Sequence, residues 1–157
     1  MGLHIVLYQP EIPANTGNIA RTCLGTDTTL HLIHPLGFEI TDKRLKRAGL
    51  DYWHRVKVKE YMGIEELFKS YPEACFYFVE DYGDQVYSDM DYSRKDGEIF
   101  FVFGQETKGI PESLLKKNQE RCIRIPMGPD VRSLNLSNSA ALVLYEALRQ
   151  QAFPKLK

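Results

Sequence analysis

The chain has 157 residues, of which 43% are hydrophobic and 26% charged, and its formal net charge is −1. This length predicts one domain, residues 1–157, large enough to bury a substantial core. The near-neutral charge argues against a strongly basic nucleic-acid-binding domain, so a nucleic acid would have to bind at a local basic patch.

The cysteines and the N-terminus indicate the environment of the protein. Cys23, Cys75 and Cys122 are odd in number and far apart, and no CxxC pair is present, so we expect neither a disulfide framework nor a metal site. The N-terminus does not resemble a signal peptide, and no apolar stretch approaches the ~20 residues of a membrane span. We therefore expect a soluble, cytoplasmic protein that does not contact a membrane.

Predicted strands and helices alternate along the chain. The strand segments are short apolar runs bounded by polar, proline or glycine residues. The predicted strands cover residues 3–8, 29–33, 56–61, 75–80, 98–104 and 122–127, and the predicted helices cover 17–26, 42–49, 64–71, 111–118 and 137–152. This alternation predicts an α/β fold with a mainly parallel sheet and helices on both faces.

Polar residues predict where the helices begin and end. Asn15 or Thr16 is expected to cap the first helix, and Ser137 is a candidate cap for the last. The helix at 42–49 would be capped by Asp42 and ended by Gly49. Residues 56–61 alternate as an edge strand would, and residues 81–97 are polar and rich in turns.

The last predicted helix carries two apolar stripes. One consists of Ala140, Val143, Leu144, Ala147 and Leu148, and the second of Ala141, Leu142 and Tyr145. A helix that is apolar over so wide an arc is buried on two sides. Periodicity leaves two interpretations open, namely a central core helix and a helix shared between the core and a partner subunit.

Three stretches could carry chemistry, and we expect them to meet around a nucleotide-sized pocket. Residues 15–21 (NTGNIAR) open a helix, where free N–H groups and Arg21 could meet an anion, but a capped helix with a surface arginine is the commoner explanation of such a stretch. In residues 103–111 (FGQETKGIP), Gly104 and Gly109 flank a loop. This pattern is typical of a ligand-binding loop and also of a plain turn. Residues 123–138 are rich in hydroxyls and amides, which suit a neutral or zwitterionic ligand or a helix cap.

Other motifs narrow the choice of function. Walker A, GxGxxG, HExxH and G-x-S-x-G are all absent from the sequence. The quartet Lys43, Arg44, Lys46 and Arg47 could contact successive phosphates, with Tyr52 and Trp53 nearby for stacking on bases. A solvated charged helix face is the alternative interpretation of the same residues.

Taken together, the segments NTGNIAR, FGQETKGIP and IRIPMGPDVRSLNLSNSAALVLYE resemble, in order, the three motifs of the SPOUT family of knotted RNA methyltransferases. The connecting segments HLIHPLGF and DKRLKRAGLDY are similar to those of its small members that methylate the tRNA wobble nucleotide. The resemblance implies a C-terminal deep trefoil knot, an exception to the rule that folds are unknotted. It also implies S-adenosyl-L-methionine as methyl donor, tRNA as substrate, and a homodimer packed through the terminal helices.

The resemblance also assigns roles to individual residues. Val79, Gly104, Ile125 and Ser133 match positions that bind S-adenosyl-L-methionine. Arg21 matches the arginine credited with activating the ribose hydroxyl. Arg132 and Tyr145 match positions associated with RNA recognition. The acidic run 79–82 (VEDY) departs from the Thr-rich pattern of the family, which bears mainly on Val79.

The implied reaction is 2'-O-methylation of the wobble nucleotide, a cytidine or a modified uridine. Because a guanidinium stays protonated, Arg21 is expected to hold the adjacent phosphate and stabilise the developing alkoxide, while the phosphate or solvent takes the proton. The alternatives are 2'-O-methylation of another RNA such as ribosomal RNA, a dimer that binds S-adenosyl-L-methionine without catalysis, and a purely structural dimer.

Overall fold

The computed structural model describes residues 2–48, 52–94 and 96–157. In these ranges the strands are β1 Gly2–Tyr8, β2 Thr29–Ile33, β3 Val58–Tyr61, β4 Cys75–Val79, β5 Gln85–Val86, β6 Glu98–Phe103 and β7 Cys122–Arg124. The α-helices are α1 Pro13–Gly25, α2 Lys43–Ala48, α3 Ile64–Ser70, α4 Glu112–Lys117 and α5 Leu136–Gln150. Short 3-10 helices lie at Trp53–Arg55, Tyr87–Asp89 and Gln119–Arg121.

The strands form one sheet in the order β3-β2-β1-β6-β4-β7-β5, and every neighbouring pair is parallel. The predicted parallel α/β fold is therefore confirmed. All strands point the same way, so their carboxyl ends meet at one edge of the sheet, where folds of this kind bind ligands.

Helices cover both faces of the sheet, as predicted. On one face, α1 and α5 bury Ile19, Cys23 and Leu144 against odd-numbered residues of β1 and β6, and α2 packs on the outside of α1. On the other face, α3 and α4 cover Phe100 and Val102. Strands that are buried on both faces explain why the strand segments read as continuous apolar runs.

Helix α1 begins at Pro13, four residues before the predicted start at 17. Asn15 and Thr16 therefore lie buried in its first turn, and the prediction that either caps the helix is wrong. Residue Ile12 precedes the helix and makes no side-chain cap. Proline is tolerated at the first helical position because its missing N–H has no helical partner there.

Helix α5 separates the two apolar stripes. Ala140, Val143, Leu144, Ala147 and Leu148 are buried, whereas Leu142 and Tyr145 are 43% and 47% exposed. The interpretation as a core helix buried on two sides is wrong within this chain. Its cap is Asn135 and not Ser137, because the Asn135 side chain accepts hydrogen bonds from the backbone N–H of Ser137 and Asn138.

Other boundaries differ by a few residues. Strand β7 ends at Arg124, before Pro126, which cannot donate to a ladder. Strand β3 starts at Val58, three residues after a 3-10 helix ends at Arg55. The Asp42 cap is confirmed by its Oδ1, which accepts from the Arg44 backbone N–H at 2.8 Å. The predicted end at Gly49 lies outside the described residues.

The polar segment 81–97 contains structure that its composition concealed. It adds the edge strand β5 and a 3-10 helix, and it buries Tyr92 completely. The backbone N–H of Tyr92 donates to Gln150 Oε1 at 2.7 Å, so this segment is fastened to α5. The trefoil knot implied by the family resemblance stays a prediction.

None of the helices in residues 2–48, 52–94 and 96–157 has the length and apolarity needed to cross a bilayer.

Candidate active site

A groove of about 1060 Å³ opens at the carboxyl ends of β4, β6 and β7. Its volume lies at the upper end of the range for small-molecule sites. Five of the predicted site residues line it, although they come from three distant parts of the chain: Val79, Gly104, Ile125, Arg132 and Ser133. The structure thus brings together all four predicted cofactor residues and one predicted RNA contact, and their roles stay predictions.

The loop after β6 folds back on itself along one wall of the groove. Gln105 and Gly109 exchange backbone hydrogen bonds of 3.2 and 2.9 Å. A Cβ at Gly104 would collide with the backbone of Gly109, and Gly109 itself has a φ of +68°. Both glycines are therefore required by the tight loop, which holds main-chain groups at the groove wall.

The acidic residue after β4 fastens this loop to the sheet. Glu80 Oε2 accepts a hydrogen bond from the Ile110 backbone N–H at 3.0 Å. The acidic residue that departs from the Thr-rich family pattern thus stabilises the loop after β6. Val79, on which that departure cast doubt, lines the groove.

Two glutamates tie the same loop to the start of α1. The Glu106 carboxylate accepts from the backbone N–H groups of Glu11 at 3.0 Å and Ile12 at 3.2 Å. In the opposite direction, the Glu11 carboxylate accepts from the backbone N–H and the hydroxyl of Thr107 at 3.1 and 2.7 Å. These bonds from Thr107 lower the pKa of Glu11. A carboxylate at the N-terminal end of α1 also interacts favourably with the helix dipole.

Two asparagines extend the connection to the third segment. Asn15 Nδ2 donates to Glu106 Oε1 at 3.5 Å, and Asn135 Nδ2 donates to Asn15 Oδ1 at 3.2 Å. Asn135 also caps α5 with its Oδ1. We name the set Glu106, Asn15 and Asn135 the polar chain, because it joins all three motif segments.

Carboxylates outnumber cations around the groove. Among the described lining residues the acidic ones are Glu80, Asp81, Glu106 and Glu112, and the basic ones are Lys108 and Arg132. Desolvation raises the pKa of Asp81. The balance favours a ligand that is neutral or carries a positive centre. Within the described ranges no group of three or more His, Cys, Asp or Glu residues could hold a metal ion.

Arg21 and Tyr145 lie outside the groove. Arg21 is exposed on α1, about 9 Å along the helix axis from Asn15 at the groove rim. Among the described residues it has no hydrogen bond or ion pair, so its guanidinium is available to an anion. Tyr145 is exposed on the outer stripe of α5.

The interpretation of the sequence missed the residues of the polar chain as site residues. Glu106 stands within FGQETKGIP, where the two glycines are the stronger pattern and a single glutamate has no distinguishing spacing. Asn15 and Asn135 were read as candidate caps or as part of a polar loop. The sequence does show one such polar residue in each motif segment, and this pattern could have indicated that the three segments contact one another.

A parallel sheet with a groove at its carboxyl edge, partly formed by a tight glycine loop, defines an α/β protein of the kind that binds ligands at this edge. The family model described as the SpoU rRNA Methylase family matches residues 2–145, so the chain belongs to this family. The resemblance inferred from the three motifs is confirmed.

Relatives that are close in sequence carry a specific name. A Bacillus subtilis (strain 168) protein, provisionally named a tRNA (cytidine(34)-2'-O)-methyltransferase, is 58% identical over 157 residues, which cover 100% of this chain and 98% of the relative. The Escherichia coli (strain K12) tRNA (cytidine(34)-2'-O)-methyltransferase is 44% identical over 153 residues, covering 97% and 96%.

Solved structures support the same family assignment. One, described as giving structural insights into the 2-OH methylation of C/U34 on tRNA, has a TM-score of 0.88 at 39% identity and covers 96% of each chain. The SpoU methyltransferase AviRb from Streptomyces viridochromogenes, in complex with the cofactor AdoMet, has a TM-score of 0.82 at 21% identity, covering 96% of this chain and 61% of that one. The second likeness concerns the fold alone.

Proposed function

We propose that this chain transfers a methyl group from S-adenosyl-L-methionine to the ribose 2'-hydroxyl of the wobble nucleotide in a tRNA anticodon, a cytidine or a modified uridine. The observation that carries the proposal is the convergence of three distant segments on one groove, with Arg21 on the helix that starts at its rim. The names of the relatives support position 34 of tRNA as the target.

The groove fits S-adenosyl-L-methionine in size and charge. Val79 and Ile125 offer apolar surface, Ser133 offers a hydroxyl, and the loop at Gly104 offers main-chain groups. The surplus of carboxylates suits a sulfonium cation. When bound, this donor supplies an electrophilic methyl group. We propose these four residues as its binding residues.

Arg21 would act on the RNA. A guanidinium cannot accept a proton near neutral pH, so Arg21 is not a general base. It would hold the phosphate beside the target ribose through two parallel hydrogen bonds and stabilise the negative charge that develops on the oxygen. The phosphate or solvent would take the hydroxyl proton. Arg132, at the groove, and Tyr145 would contact the RNA.

The exposed stripe of α5 supports a homodimer. Leu142 and Tyr145 lie on the outside of a helix whose other side is in the core. We propose that the terminal helices α1 and α5 pack against a second copy, with Tyr145 at the rim where RNA can reach it. The same family resemblance supports a C-terminal trefoil knot, one methyltransferase domain over residues 1–157, and a cytoplasmic location.

The test is a methylation assay with labelled S-adenosyl-L-methionine and tRNA that lacks the mark. Nucleoside mass spectrometry should find one new 2'-O-methyl group at position 34, and tRNA with a 2'-deoxyribose at that position should accept none. Methyl groups found only in ribosomal RNA would contradict the proposal, as would binding of the donor without any transfer.

The role of Arg21 is tested with Arg21→Lys, which keeps the charge and loses the planar fork. Turnover with tRNA should fall steeply, while the affinity for S-adenosyl-L-methionine, measured by calorimetry, should stay at the wild-type value. Full turnover in this variant would show that the bidentate contact is not needed.

A further inference from the structure

The charges of this nearly neutral chain are strongly segregated. Seven of its 20 lysines and arginines fall between residues 43 and 59 together with a single acidic residue, Asp51, so this stretch carries +6 and the remainder −7. A net charge of −1 therefore conceals a local basic region. Within about one Debye length, roughly 8 Å in physiological salt, a region of this kind attracts anions regardless of the total charge.

Helix α2 displays most of these cations. Leu45 is completely buried and anchors the helix, whereas Lys43, Arg44, Lys46 and Arg47 are all exposed. Only Arg44 has an ion pair, with the capping Asp42, among the residues that the structure describes. Lys43, Lys46 and Arg47 have no ion pair with any residue in the ranges 2–48, 52–94 and 96–157.

The cations in the first turn of α2 weaken the helix, whereas Lys46 and Arg47 in its last turn suit the helix dipole. Lys43 and Arg44 lie in the first turn, at the positive end of the helix dipole. Lys43 also faces Lys46 and Arg47 at spacings of three and four residues, where like charges repel. A helix that only had to cover the core through Leu45 would gain stability from acidic residues here. The choice of cations therefore indicates an anionic partner.

The basic helix packs against the helix that carries the arginine proposed to act on RNA. Helix α2 and the 3-10 helix at Trp53–Arg55 both pack against α1, which carries Arg21. The Arg55 guanidinium lies 6.0 Å from the ring centre of Tyr52, which is 39% exposed. Cations and an exposed aromatic ring are thus joined to the outer side of α1, as in surfaces that bind phosphates and bases.

We propose that Lys43, Arg44, Lys46, Arg47 and Arg55, here called the α2 surface, bind the phosphate backbone of the RNA stem next to the target nucleotide. This inference rests on the proposed function, because it takes tRNA as the partner. The surface would supply affinity and orientation but no base recognition. Its charges would place the anticodon loop across α1, between Arg21 and the groove.

The test compares two double variants with the same change of charge. Lys43→Gln/Lys46→Gln removes two charges from the α2 surface. Lys69→Gln/Lys117→Gln removes two from α3 and α4 on the opposite face of the sheet, where both lysines are exposed and have no ion pair among the described residues. Binding of an unmodified tRNA anticodon stem-loop is measured by fluorescence anisotropy between 50 and 300 mM salt.

We expect the α2 variant to reduce the slope of log K against log salt concentration by about 1.4 to 1.8, the counterion release of two phosphate contacts. At 0.15 M salt this reduction corresponds to about 15- to 30-fold weaker binding. The thermal midpoint of the α2 variant should equal or exceed that of the wild type, because like-charge repulsion is relieved. The opposite-face variant should keep the wild-type slope.

An unchanged slope in the α2 variant, or an equal reduction in both variants, would overturn the inference. So would weaker binding accompanied by a lower thermal midpoint, since that would mark a structural role of the lysines. Failure of the proposed function is separate from these outcomes, because a wild-type protein that binds the stem-loop without methylating it would leave the slope comparison intact.

Discussion

A buried chain of hydrogen bonds makes the stability of this protein depend on pH. His4 Nε2 lies 2.8 Å from Glu98 Oε2, His4 Nδ1 lies 2.9 Å from His31 Nε2, and His31 Nδ1 lies 3.0 Å from the Tyr61 hydroxyl. Each nitrogen has a suitable partner when both imidazoles are neutral, with one N–H and one acceptor on each ring. A proton added to either ring replaces an acceptor with a donor. The core therefore favours the neutral form.

The direction and size of the effect follow from burial. Desolvation lowers the pKa of His31 to about 3, and it also lowers the pKa of His4, where Glu98 partly opposes it. Below pH 6.5 the unfolded chain binds a proton at His31 that the folded protein does not. The contribution of His31 to the free energy of unfolding is therefore fully present above this pH and decreases as the pH falls. At pH 5 the loss from His31 alone is about 2 kcal/mol. His4 adds to the loss in the same direction.

Urea unfolding at pH 7.5, 6.0 and 5.0, at fixed protein concentration, measures this loss. Carboxylates titrate mainly below this range, so the histidines dominate the change. His31→Phe should be less stable than the wild type at pH 7.5 but lose about 2 kcal/mol less between pH 7.5 and 5.0. His54→Gln, which removes an exposed imidazole, should follow the wild type. An equal loss in the free energy of unfolding between pH 7.5 and 5.0 in His31→Phe and the wild type would refute the reasoning.

Three further predictions concern the site and the surface. Asn135→Ala should cost about 1 kcal/mol in urea unfolding through loss of the α5 cap, whereas Asn135→Ser, which keeps a capping oxygen and also lacks the Nδ2 donor to Asn15, should cost less; equal losses would contradict the capping role. Glu106→Gln should cost about 1–2 kcal/mol, because a neutral amide replaces the carboxylate that accepts from two backbone N–H groups, and a wild-type unfolding curve would count against this contact. If the protein forms the proposed dimer, Leu142→Glu should convert it to a folded monomer in light scattering, since the side chain is exposed in one chain; a monomeric wild type would contradict the proposed dimer.

The parallel sheet could be predicted because its signals are local. Residues 98–103 and 75–79 are short apolar runs separated by polar segments, and a strand buried on both faces needs no more than that. The meeting of the three motif stretches at one pocket was expected from the residues themselves, whereas the choice of Gly104 and Ser133 within them followed from the family resemblance. Spacing alone allowed both to be ordinary loop residues.

The start of α1 could not be predicted for a physical reason. Its N-terminal end is satisfied by Glu106, which lies more than 90 residues away in sequence, instead of by a neighbouring Ser, Thr, Asp or Asn. A capping rule examines adjacent residues, so it selected Asn15 and Thr16. Tyr92 was missed for a related reason, because a single buried aromatic residue in a polar segment has no periodicity.

The contacts between α1 and distant parts of the chain also bear on how the proposed methyl donor and the RNA would be aligned. One end of α1 is fixed to the groove by Glu106 and Asn15, and the face that carries Arg21 lies about two turns further along the same rigid helix. A helix rises 1.5 Å per residue, so the separation between the groove rim and Arg21 is set by the backbone and not by side-chain flexibility. Loosening the polar chain would change the position of Arg21 relative to the groove. Because misplacement of reactants by 1 Å can cost about 100-fold in rate, the polar chain should matter more for turnover than for the affinity of either ligand.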